Sequence, residues 1–147
     1  MDFLNTIAVS VGCAAVAEDL ARGRISNWTS AAALIGGICC HGVRNGWSGI
    51  ATALLGAAAG FGIFFLLYVA GGMGGGDVKL LAGFGSLLGP GAVSGAAFLA
   101  AIFGAIVASA VWATGTLFPG RKVCALRSIP YAPAITVGAL LVLFGKT

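Results

Sequence analysis

The sequence predicts an all-α integral membrane protein, a bundle of about six transmembrane helices, and three observations predict it. Only 8% of the 147 residues are charged while 59% are hydrophobic, against about 25% charged in a soluble domain. Mean hydropathy is +1.05, and a crossing takes roughly 20 apolar residues, so the length allows about six with short loops. Glycine is abundant, at 25, which suits helices packing in lipid, where small residues let backbones approach. A surface so poor in charge does not stay dissolved in water, so the surrounding medium is the lipid bilayer. The net charge of +4 reflects loop lysines and arginines and is no footprint of nucleic-acid binding. The chain reads as a single transmembrane domain over 1–147, with no room for an appended soluble one.

The first apolar run predicts a helix from about Phe3 to Ala17, ending in Glu18-Asp19. Asp2 precedes it, and the run has no basic leader and no clear cleavage site, so it reads as a retained helix. A short basic loop follows, with Arg22, Arg24 and an interfacial Trp28. The second helix runs from about Ser30 to His41, and Asn45-Gly46 signals a turn. The third, from about Gly49 to Ala70, carries Gly56-Ala57-Ala58-Ala59-Gly60, a GxxxG packing seam. A glycine-rich stretch, Gly71 to Gly76, leads into a fourth helix that starts near Asp77 and stops before Gly89-Pro90-Gly91. The fifth runs from about Ala92 to Leu117, and Phe118-Pro119-Gly120-Arg121-Lys122 returns to polar surface. The sixth runs from about Ile129 to Phe144, with Pro130 and Pro133 near its first turn, where proline is tolerated.

Basic residues orient this bundle. Loops 20–28, 71–79 and 118–128 hold Arg22, Arg24, Lys79, Arg121, Lys122 and Arg127, while the opposite side holds Arg44 and Lys146. The positive-inside rule places the first set in the cytoplasm. Two crossings separate Asp19 from Asp77, so both acids lie on that same side. They are two of only four acidic residues, and an ionisable group at a membrane border is costly enough to mark a functional site.

Two neighbouring carboxyl groups cannot both ionise easily and share a proton. The ionised one takes a proton from water while the protonated one polarises a carbonyl, which is aspartic-protease chemistry and needs neither metal nor cofactor. The bland reading, solvated acids at helix ends, stands beside it. Other chemistries are weaker. His41, the only histidine, falls on the opposite side from both acids, which disfavours a triad or a metal cluster. Cys13, Cys39, Cys40 and Cys124 include no CxxC pair and read as small buried apolar residues.

Three segments resemble one family, the type IV prepilin peptidases of bacteria and archaea, which are GxGD membrane aspartyl proteases. Asp19-Leu20 followed by Ile25-Ser26-Asn27 resembles the family's Asp-Leu-x-x-x-x-Ile-Pro-Asn, with Ser26 in place of proline, a change expected to touch loop shape and not the acid. Gly74-Gly75-Gly76-Asp77-Val78-Lys79-Leu80-Leu81-Ala82 matches GxGDxKLxA. Ile129-Pro130-Tyr131-Ala132-Pro133-Ala134 resembles Ile-Pro-Phe/Tyr-Gly-Pro, with Ala132 in place of glycine. The resemblance implies a catalytic pair, Asp19 and Asp77, with Gly74, Gly76, Lys79 and Pro130 binding substrate or supporting the site. It implies no cofactor, and prepilin-like substrates whose short basic leader is cut from a hydrophobic helix on the cytoplasmic side of the inner membrane. The chain shows no N-methylation domain with paired CxxC motifs, so peptidase activity alone is expected, as in the short enzymes of Flp (tight-adherence) pili or archaeal preflagellin peptidases.

Glu18 lies about 100° around a helix from Asp19, so the two face different partners; the resemblance selects Asp19, and Glu18 reads as a solvated or packing-edge residue. Lys79 either tunes Asp77 or contacts substrate, or it snorkels to the interface. Presenilin-like proteases share GxGD but set both acids deep in spanning helices. The alternative from another class is a small proton-coupled transporter or channel subunit using the acids as a relay; a scaffold with decayed catalysis is a third. Oligomeric state has no signature in the sequence.

Overall fold

A computed structural model describes residues 3–70, 73–117 and 131–145, with backbone alone at 108 and 110–117. Among the described residues five helices follow one another: α1 (Phe3–Arg22), α2 (Asn27–Val69), α3 (Gly75–Leu88), α4 (Pro90–Leu117) and α5 (Ala132–Phe144). Every regular element among the described residues is helical.

The second and third expected helices are the two arms of α2. Gly46 alone leaves helical geometry, at φ 57 and ψ −136, a positive φ that glycine adopts without penalty. The expected loop from His41 to Ser48 is therefore one residue of reversal with helix on either side. The arms fold back on each other. The first arm meets α3 from Ala33 beside Gly83 to His41 beside Leu87. The second meets it in the reverse sense, from Thr52 beside Gly89 to Gly60 beside Leu81.

α3 lies at the centre. It touches all four other helices, and it is apolar around nearly its whole circumference, as a fully enclosed helix must be. Leu80, Leu81, Phe84 and Leu87 are among the most deeply buried side chains of the chain. The GxxxG seam packs here: a Cβ on Gly56 would collide with the Gly85 carbonyl, and one on Gly60 would fall 2.6 Å from the Leu81 carbonyl oxygen. The buried Ser86 hydroxyl donates to the Gly83 carbonyl at 2.7 Å, which satisfies a polar group that would otherwise be costly there.

Three helices among the described residues, α1, α2 and α4, are long and apolar enough to cross a membrane. α3 and α5, of 14 and 13 residues, fall short of the roughly 20 a full crossing needs, so three of the about six expected crossings have a helix of spanning length among the described residues. α1 also runs five residues past the expected end at Ala17. Hydropathy fades there, but no breaker appears until Gly23, whose φ of 61 ends the helix in the left-handed conformation, with its N–H donating to the Asp19 carbonyl at 2.8 Å. Of the described cysteines only Cys40 is buried; Cys13 and Cys39 are exposed, contrary to expectation. They occupy outward positions of apolar helices, where a thiol is as acceptable to lipid as it would be inside.

Candidate active site

Asp19 lies in the last turn of α1 and is 7% exposed. Its Oδ2 accepts a hydrogen bond from the backbone N–H of Ala132 at 3.2 Å. That N–H opens α5 and is one of the donors a helix start cannot satisfy internally; the partial positive charge at such a start favours a carboxylate. The third segment singled out in the sequence thus meets the first.

Asp77 is the third residue of α3 and equally buried, at 7%. Its Oδ2 accepts from the Gly74 N–H at 3.3 Å, while its own N–H donates to the Gly74 carbonyl at 3.2 Å. This is the side-chain-to-backbone half of a capping box. Gly74 has an ordinary extended backbone, φ −83 and ψ 150, so its merit is space: a Cβ there would stand 3.3 Å from Asp77 Oδ2. Each acid is therefore aimed by the start of a helix, Asp77 by its own and Asp19 by one 113 residues away.

Both acids line one cavity of about 270 Å³, with Gly74, Gly75 and Gly76 on one side and the α1–α2 connection on the other. Asp77, outside the three candidate spans, has its carboxyl pushed up from 3.8 to about 6, first by burial and then by the charge of Asp19, against the Gly74 N–H, which lowers it. A pair in this state holds a proton well above the usual carboxylate range.

The connection reaches α3 on both sides of Asp77. Ile25 lies over Gly76, where a Cβ would be 3.5 Å from the Ile25 Cβ. Lys79 donates from Nζ to Asn27 Oδ1 at 3.0 Å, so its amine ties α3 to the start of α2, and the shift of Asp77 arises from burial, Asp19 and Gly74.

Glu18 is the residue that sequence reasoning undervalued. It is half-buried, and its Oε2 accepts from the Ser26 N–H at 2.8 Å and from the Thr29 Oγ1 hydroxyl at 2.8 Å. Ser26 in turn caps α2, its Oγ accepting from the Trp28 N–H at 3.3 Å. A proline at 26 has no N–H to give Glu18, so the departure at Ser26 supplies a hydrogen bond as well as loop shape. The signal available in the sequence was a carboxylate eight residues before a Ser-Asn-Trp-Thr cap; only the turn at Gly23 brings the two together.

His41 is remote from this site, near the other end of α3, where its Nε2 donates to the Leu87 carbonyl at 3.0 Å. No group of three or more His, Cys, Asp or Glu side chains among the described residues is placed to hold a metal. Pro130, with Arg121, Lys122, Cys124 and Arg127, lies outside the described residues.

Comparison with known proteins adds two findings. Residues 6–109 match the type IV leader peptidase family, and that range contains both acids. The chain is also 41% identical over 92 residues to the prepilin leader peptidase/N-methyltransferase of Bacillus subtilis (strain 168), an alignment covering 60% of this chain and 34% of the relative. The matched stretch thus spans about a third of the relative's length. No solved structure matches significantly.

Proposed function

The chain belongs to the type IV leader peptidase family, and from that premise we propose that it is a membrane aspartic endopeptidase that removes the short leader of type IV pilin-like precursors. The observation that carries the reading is the meeting of Asp19 and Asp77 in one cavity, each oriented through Oδ2 by a helix-start N–H.

In this reading the pair holds one proton between its two carboxyls and titrates as a unit. The ionised carboxyl removes a proton from water as the oxygen attacks the scissile carbonyl carbon. The protonated carboxyl gives its proton to the carbonyl oxygen, which forms a neutral tetrahedral diol. In the collapse the ionised carboxyl takes a proton from one diol hydroxyl as the C=O bond reforms and the C–N bond breaks, the other carboxyl gives its proton to the leaving amine, and the pair again holds one proton. Burial of Asp77 supports this division, because it keeps a proton on the pair at a pH where an exposed aspartate is fully ionised. Gly74, Gly75 and Gly76 line the cavity without side chains, which leaves room for an extended substrate backbone. Gly74, Gly76, Lys79 and Pro130 are assigned to substrate binding or support.

The protein resides in the inner (cytoplasmic) membrane with the acids facing the cytoplasm, an orientation supported by the basic residues Arg22, Arg24 and Lys79 near the site. Co-expression of wild type, Asp19→Asn and Asp77→Asn with pilin-like precursors tests the function. Wild type shortens a precursor on a gel and both variants, although inserted, lose at least about 100-fold in rate, the scale of general acid–base catalysis. Cleavage by either variant at near wild-type rate would refute the pair. A well-inserted wild type that cuts nothing but carries a pH-dependent flux in vesicles would establish the proton relay instead.

A further inference from the structure

We propose that Glu18 is a positioning residue for the acid pair: it fastens the α1–α2 connection to α1, and that connection grips the first turn of α3 on both sides of Asp77. The proposal rests on the peptidase reading for its kinetic consequence and on geometry alone for the rest.

The links form a continuous path. Gly23 turns the chain out of α1, and Ser26 starts α2, so residues 23–26 form a very short bridge. Such a bridge is bent back only if something holds its far end. Glu18 Oε2 does so twice, through the Ser26 N–H and the Thr29 hydroxyl. Thr29 is 8% exposed, so water does not readily replace the carboxylate as its partner. A carboxylate beside the first N–H groups of α2 is further favoured by the partial charge of that helix start. From this fixed base Ile25 rests on Gly76, one residue before Asp77, and Asn27 holds Lys79, two residues after it.

The two adjacent acids of α1 thus divide the work. Asp19 faces the cavity and α5. Glu18, about 100° around the helix, faces the connection that carries α3. The end of α1 sets Asp19 directly and the approach of Asp77 through Glu18. In a pair whose chemistry depends on two carboxyls sharing a proton, a misplacement of about 1 Å costs up to about 100-fold in rate.

The test compares Glu18→Ala and Glu18→Gln in the purified full chain. The amide oxygen of glutamine accepts both hydrogen bonds, whereas alanine accepts neither, and both variants remove the same negative charge. Two readouts are taken: cleavage of a precursor that wild type processes, and titration of the Asp77 carboxyl by infrared difference against Asp77→Asn. The polar and charged side chains that line the cavity with Asp77 are Asp19 from α1, Arg24 from the connection, Asn27 at the start of α2, and Lys79 on its own helix. Loosening the connection admits water and moves Asp19 away, and both changes lower the Asp77 midpoint.

Glu18→Ala is expected to lower kcat on the order of 10- to 100-fold with little change in KM, and to move the Asp77 midpoint down from about 6. Glu18→Gln is expected to stay near wild type in both. A wild-type rate and midpoint in Glu18→Ala would overturn the proposal, as would a Glu18→Gln variant as impaired as Glu18→Ala, which would make the charge and not the acceptor the active feature. If Glu18→Ala does not fold, Asn27→Ala decides: it cuts the distal link between exposed side chains, and an unchanged midpoint there refutes the grip on α3. The midpoint is read without substrate, so it reports on Glu18 even if no precursor is cut, which would count against the peptidase reading alone.

Discussion

At its N-terminal end α3 presents Asp77 to a cavity walled by a short connection, whereas toward its C-terminal end its backbone lies against the backbone of α2, Gly85 on Gly56, with no side chain between them. The first end is assembled from hydrogen bonds to single atoms: Gly74 to Asp77, Ala132 to Asp19, Lys79 to Asn27. The second is assembled from glycines whose value is the space they leave, and in lipid that close approach is what holds helices together. The contrast teaches a division of labour. Adjustable polar links hold the two acids, and a close-packed seam about two turns away fixes the helix that carries one of them.

Gly85→Leu attacks the seam and has the largest expected effect. A side chain there meets the Gly56 carbonyl oxygen and Val93, and backbone cannot yield as a flexible side chain does. Overpacking costs about 1–3 kcal/mol where neighbours relax, and more is expected where they are backbone. The variant should show a Tm many degrees lower, and loss of cleavage in proportion to loss of folded protein. The acid variants should do the opposite: Asp77→Asn keeps its fold and loses its rate. A Gly85→Leu protein with an unchanged Tm would break the comparison.

The next effect is a pH dependence of stability. The Asp77 carboxyl lies at about 6 in the folded protein against 3.8 when unfolded, so the folded state holds the proton more tightly. Its stabilising contribution is full below 3.8 and is lost as pH rises through 6, amounting to about 3 kcal/mol by the top of that window. Asp77→Asn removes this dependence. Its Tm relative to wild type should therefore be higher at pH 8 than at pH 4, measured in one detergent. A difference that does not change with pH would mean that Asp77 is not held in the buried, Asp19-facing state.

Part of this organisation was legible in the sequence. Counting crossings led to the expectation that Asp19 and Asp77 share one side, and the structure sets both on one cavity. The GxxxG of α2 was legible as a seam, though not its partner, because small residues specify closeness and not identity. The hydrogen bond from Ala132 to Asp19 was hidden because it uses a backbone amide, which carries no residue signature. Glu18 was hidden for a different reason. Its partners depend on where α1 ends, and hydropathy placed that end at Ala17, while the left-handed Gly23 places it after Arg22. A few residues of helix decide which way each of two adjacent carboxylates points.

His41→Ala gives the smallest expected effect and the sharpest reading of the comparison. His41 donates to the Leu87 carbonyl, one of the last carbonyls of α3, which a helix end leaves without an internal partner. Removing it forfeits one hydrogen bond worth about 0.5–1.5 kcal/mol, so Tm should fall slightly. It lies at the opposite end of α3 from Asp77 and is not among the residues that line the cavity, so cleavage per folded molecule should remain within about twofold, a difference of under 1 kcal/mol in the barrier. Activity that fell much further than Tm would mean that a perturbation travels along α3 to Asp77. The seam between Gly56 and Gly85 stands between the two ends, and a helix pinned there by backbone contact has little freedom to transmit a shift.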